Sequence, residues 1–271
     1  MAGTGKKWLI GCGAGCGVSI LLSILLSVGG ALFMTRPMNK AVNAQKELAA
    51  EFGAREDFTP PPRLTPQRIK AFLAVRQELM GSCSQFEGFV SDFQAMEELD
   101  SGEGDPQIGE VMGGVKGVMG AVFGLVSALG EVTRVRNQAL HEHGMGMGEY
   151  TWIYILAFNS YLEKEPNTGI DSRNGHGYRG KKLRLMSTLM ENHAVALEKA
   201  GNPEAARIWR DEIGRLKRVD EGVPFSGIRL PDGLAESFAP FRKYLEKYYC
   251  PAMAEFDLDL IEKKGMSFHA D

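Results

Sequence analysis

Trp8 to Met34 runs for 27 residues without a charged side chain. A stretch this long and apolar can satisfy its backbone hydrogen bonds in lipid only as a helix. The sequence therefore predicts a transmembrane anchor over residues 8–34, behind a short basic tail at residues 1–7. A cleaved signal peptide fits less well, because signal h-regions span about 7–15 residues. Val28-Gly29-Gly30-Ala31 nevertheless offers small residues to a peptidase. Leu9-Ile10-Gly11-Cys12 has the outline of a lipoprotein box, but only Trp8 separates it from Lys7, leaving no apolar region ahead of the cysteine. At about 1.5 Å per residue the anchor exceeds a ~30 Å hydrocarbon core, so it tilts or protrudes. Gly13 and Gly17, one turn apart, give two anchors a face for close packing into a homodimer.

Sidedness rests on charge. Lys6 and Lys7 precede the anchor, and Arg36, Lys40 and Lys46 follow it, so the positive-inside count is nearly balanced. A very short basic tail ahead of a long domain points to an amino terminus inside and a domain outside the cytoplasm. Beyond the anchor the chain carries 29 basic and 34 acidic residues. A mildly acidic domain has no electrostatic footprint for nucleic acid. Cys83 and Cys250 are the only cysteines of the domain. An oxidising compartment would let them pair, and two small buried thiols are the equal alternative.

The rest of the chain patterns as helices, with no convincing period-two alternation, so the expected class is all-α: an anchor followed by a multi-helix bundle. Residues 35–64 read as a juxtamembrane helix, with Leu48, Ala49 and Phe52 at helical spacing, and then a stiff Phe58-Thr59-Pro60-Pro61-Pro62 spacer holding the domain off the bilayer. The domain occupies 65–271. Thr65-Pro66 opens a helix that runs to about Leu99. Its apolar stripe includes Ile69, Phe72, Leu79, Cys83 and Phe86, and Arg68, Arg76 and Gln77 fall on the polar remainder. Residues 111–130 are long enough to span a membrane but carry Lys116 near the middle, which favours a buried helix. A helix continues towards Leu140, and Glu149 to Leu162 is so aromatic that it is expected at the domain centre. A loop at 164–180 precedes helices at 181–200 and 203–218 and a last one at about 234–249, with Pro240 early in it.

Chemistry is sparse, and no cofactor or catalytic constellation is expected. His141, His143, Met145 and Met147 place two imidazoles and two thioethers within seven residues, a set that suits copper. They share one face only if the segment is extended; in a helix the histidines point about 200° apart, and a solvated helix end followed by a glycine hinge is the alternative. Gly148-Glu149-Tyr150, at a helix start, is where an enzyme would put a carboxylate and a tyrosine, although the helix dipole alone also favours Glu149 there. His193 reads as a helix-surface or satisfied core histidine rather than a catalyst, and His176 sits in a glycine-rich loop without phosphate-loop context. Arg173, Arg179, Lys181, Lys182 and Arg184 form a basic cluster, solvated or suited to an acidic partner or lipid head group.

Four segments carry a resemblance: Lys7 to Gly13, Phe58 to Pro61 (FTPP), Arg68 to Arg76 (RIxAFLxVR) and Gly144 to Tyr150 (GMGxGEY). Together they resemble an uncharacterised group of bacterial single-span membrane proteins. The likeness covers the first two-thirds of the chain and implies no activity. Glu149 and Tyr150 belong to the pattern, and His141 and His143 do not. The resulting expectation is a single-pass protein of the bacterial inner membrane, anchored in the bilayer by residues 8–34. Its domain would bind or scaffold an envelope partner; an enzyme and a metal-binding protein are the alternatives.

Overall fold

The computed structural model describes residues 43–100, 128–164, 175–219, 223–226, 230–231 and 233–254. The expected anchor at 8–34, with Gly13 and Gly17, lies outside them, as does most of 111–130. No helix among the described residues is long and apolar enough to cross a membrane. Those residues are helices and connecting turns with no strand, so the domain is all-α. In chain order the helices are α1 (43–52), α2 (Pro66–Asp100), α3 (128–142), α4 (Met147–Tyr154), α5 (Gly175–Lys199), α6 (Pro203–Val219), α7 (Leu234–Phe238) and α8 (Arg242–Lys247).

α2 starts where Thr65 and Pro66 direct it: the Arg68 N–H donates to Thr65 Oγ1 at 3.4 Å, and proline forfeits nothing at a position whose N–H is unpaired anyway. Its 35 residues would extend about 52 Å. Ile69, Phe72, Val75, Leu79 and Phe86 bury one stripe completely. Against it runs α4, which continues as a π-helical segment, Ile155–Tyr161. Every residue from Tyr150 to Ser160 is buried, because a helix with apolar groups on all sides is stable only where protein surrounds it. Phe72, Tyr150, Tyr154 and Phe158 stack in a chain with ring centres 4.8–6.0 Å apart.

α5 and α6 form a helical hairpin at the expected Gly201-Asn202-Pro203 connection, with Asn202 Oδ1 accepting from the Ala205 N–H. Trp209 of α6 packs on Trp152 of α4 at 5.1 Å, which brings the hairpin to the core. Two boundaries differ from expectation. α5 begins at Gly175, so residues 175–180 of the expected 164–180 loop are helical, His176 among them. The last expected helix is split into α7, a 3-10 turn over Ala239–Phe241 and α8, because Pro240 cannot donate to an α-helical ladder.

The expected spacer is laid on the domain. Leu48 of α1 is buried, Phe52 packs against the core, and Pro60 and Leu64 are buried. The carbonyls of this segment are met by α5. Asn192 Nδ2 donates to the carbonyls of Glu56 (3.1 Å) and Phe58 (2.9 Å), and His193 Nδ1 meets the Pro60 carbonyl at 3.3 Å.

Candidate functional site

The chain from Phe52 to Phe58 crosses the start of α4 at Gly146 and Gly148. A Cβ on Gly148 would lie 2.3 Å from Phe58 Cβ and 2.6 Å from the Arg55 carbonyl oxygen; on Gly146 it would lie 2.7 Å from Phe52 Cβ. Only glycine lets backbone approach this closely. Beside the crossing, Arg68 of α2 forks onto Glu149. Its Nε donates to Oε1 at 2.6 Å and its Nη2 to Oε2, and Nη2 also donates to the Gly144 carbonyl at 3.0 Å. The guanidinium is held more firmly protonated than usual, first by its hydrogen bond to Glu149 and against some desolvation. Three of the four segments that carry the family resemblance, 58–61, 68–76 and 144–150, thus meet at one junction.

Two turns further along α2 lies Arg76, which the sequence pattern assigned to the polar remainder. It is fully buried. Nε and Nη2 donate to the Tyr248 carbonyl at 3.1 and 3.0 Å, Nη1 donates to Tyr150 Oη at 2.9 Å, and the guanidinium carbon lies 5.4 Å from the centres of both the Tyr154 and Phe158 rings. These directional partners and aromatic faces offset the cost of taking the charge out of water. A signal was present: Arg76 is seven residues from both Ile69 and Cys83, on the apolar stripe itself.

The same stripe ends on the tail of the domain. Tyr248 Oη donates to Gln77 Oε1 at 3.1 Å, and Cys83 is disulfide-bonded to Cys250. The two cysteines left open by the sequence are therefore paired.

The four candidate metal ligands are placed by a helix stop. α3 ends in a Schellman motif: Met145 N–H reaches back to the Leu140 carbonyl (2.8 Å) and Gly144 N–H to that of His141 (3.1 Å), with Gly144 at φ +56°. The reversal sends Met145 into the core beside Leu140, and Met147 is buried at the start of α4. His141 Nε2 lies 3.1 Å from a Glu51 carboxylate oxygen on α1, and His143 Nε2 lies 2.9 Å from Glu78 Oε1 on α2. Each imidazole thus faces a carboxylate on a different helix, while the thioethers face inward.

His193 completes a three-ring cluster with Trp152 and Trp209, 5.2 and 4.6 Å from their ring centres. Burial lowers the pKa of its imidazole, partly opposed by the Pro60 carbonyl. Within the basic cluster, Arg173 lies outside the described residues, Arg184 is exposed, and Lys182 is buried in α5 rather than solvated in a loop. A cleft of about 260 Å³ opens between α1 and the crossing chain, lined by Gln45, Leu48, Ala49, Arg55, Glu56 and Met147 among others; neither Glu149 nor Arg68 borders it. No family model, curated protein or solved structure matches this chain.

Proposed function

We propose that the chain is a membrane-anchored, all-α binding or scaffolding protein of the bacterial envelope, with its domain outside the cytoplasm. The observation that carries this reading is the way the chain following the anchor is built into the domain. α1 and residues 53–62 pack on α4 and α5 through Leu48, Phe52, two glycine crossings and three carbonyl contacts from Asn192 and His193. Such a junction holds the chain that follows the anchor against the domain, which suits a tethered domain that presents a surface to a partner in the same membrane. The Cys83–Cys250 disulfide supports an oxidising side of the membrane. An enzyme near Gly148-Glu149-Tyr150 remains the second reading, favoured by the basic group beside Glu149; against it, both carboxylate oxygens are taken by Arg68.

The test uses the full chain in native membranes. Photo-crosslinkers at exposed positions such as Ile208 and Tyr244 should trap a defined envelope protein or a second copy of the chain, and alkylation before lysis should find Cys83 and Cys250 blocked. Cysteines fully reduced in the living cell, with no specific crosslink from either position, would overturn the proposal.

A further inference from the structure

We propose that reduction of the Cys83–Cys250 disulfide creates a binding site for a thiophilic divalent metal ion of the zinc type, with Cys83, Cys250 and Glu87 as its ligands. Among the described residues these three offer two sulfurs and a carboxylate oxygen, all within 4.8 Å of one another. Glu87 follows Cys83 by one helical turn on α2, its Oε1 3.6 Å from the Cys83 sulfur.

What turns a cross-link into a site is that the tail does not depend on the disulfide alone. Arg76 holds the Tyr248 carbonyl with two hydrogen bonds, Gln77 accepts from the Tyr248 hydroxyl, and Cys250, Ala252 and Met253 are buried. These contacts keep Cys250 against α2 after the sulfurs part. The Cα atoms, 6.0 Å apart, already allow the sulfurs to sit about 3.8 Å from each other, the edge two thiolates make at about 2.3 Å from a tetrahedral zinc ion. Glu87 is exposed and closes the third position from the solvent side, leaving a fourth for water.

The reaction balances with a dithiol reductant, a thioredoxin-type protein or a small dithiol. Its thiolate attacks one sulfur, its second thiolate resolves the mixed disulfide, and two electrons and two protons pass to Cys83 and Cys250 as the reductant closes its own disulfide. Metal entry then displaces the two thiol protons to solvent.

Cobalt(II) is the probe, added to the detergent-solubilised full chain carrying Cys12→Ser and Cys16→Ser so that only the domain thiols remain. After phosphine reduction without oxygen, one equivalent should raise a thiolate-to-cobalt band that zinc abolishes. The oxidised protein should show none, and Cys83→Ser or Cys250→Ser should remove it. Glu87→Gln should keep the band but weaken apparent affinity at least about tenfold. Three results would each overturn the proposal: a reduced, helical protein without the band, an unchanged affinity in Glu87→Gln, or loss of helical circular dichroism on reduction, since the tail would then need the disulfide.

Discussion

Residues 53–62, near the amino-terminal end of the domain, and residues 248–254, near its carboxyl-terminal end, are both irregular chain laid on helices, yet they are held differently. The first is fitted by shape: Phe58 and the Arg55 carbonyl against Gly148, with carbonyls accepting from Asn192 and lying beside His193. The second is held by a buried guanidinium and a covalent bond, Arg76 on Tyr248 and Cys83 to Cys250. The fit at 53–62 lacks any covalent link and part of it faces water, so it opens more readily. The tail is secured against opening and also sits where its loss would expose α2's apolar stripe. Residues 53–62 are therefore the adjustable end of the domain, and the tail is its fixed end.

The largest expected effect comes from removing the fixed end's charge. Arg76→Ala leaves the Tyr248 carbonyl and Tyr150 hydroxyl without their guanidinium donors and opens a cavity, so urea denaturation followed by tryptophan emission should show a loss of about 3–5 kcal/mol. Hydrogen exchange at 248–254 should accelerate in the same variant, with 53–62 little changed; the reverse pattern would dissolve the contrast between the two ends. Cys250→Ser should cost about 2–4 kcal/mol in the same assay, because the bond closes a separation of 167 residues.

At the adjustable end, Gly148→Ala should cost about 1–3 kcal/mol and deprotect residues 55–58, since the added Cβ must displace Phe58 or the Arg55 carbonyl. A melting curve identical to the parent would show that the crossing is looser than drawn. Acid should act on this end as well. Burial holds the folded His193 imidazole below its ordinary 6.5, so the unfolded chain takes up a proton first. Its contribution is complete above about pH 6.5 and declines as pH falls through the folded-state value. His193→Gln should flatten that part of the pH–stability profile, and an unaltered profile would assign the slope elsewhere. The smallest effect belongs to neither end: Arg210→Ala, at an exposed pairing with Glu191 and Glu198, should leave the midpoint unchanged within error.

Local chemistry made much of this legible. The start of α2 at Thr65-Pro66, the aromatic centre from Tyr150 onward and the α5–α6 turn follow from caps, proline and hydrophobic period, which act over a few residues. The candidate site was legible only in part. Glu149 was visible as a helix-start carboxylate, but Arg68, 81 residues away, was not visible as its partner. The His141–Met147 set looked like ligands because adjacency in sequence says nothing of the reversal at Gly144 that sends Met145 inward.

By itself the sequence determined the helical class, the helix limits set by proline and glycine, and the expectation of an anchor at 8–34, because these depend on backbone hydrogen bonding and apolar period alone. Only the tertiary structure decided that Arg76 is buried, that the proline segment is docked, and that Cys83 meets Cys250. Each depends on which distant backbone supplies a carbonyl, a gap or a second sulfur, and no local pattern encodes that choice.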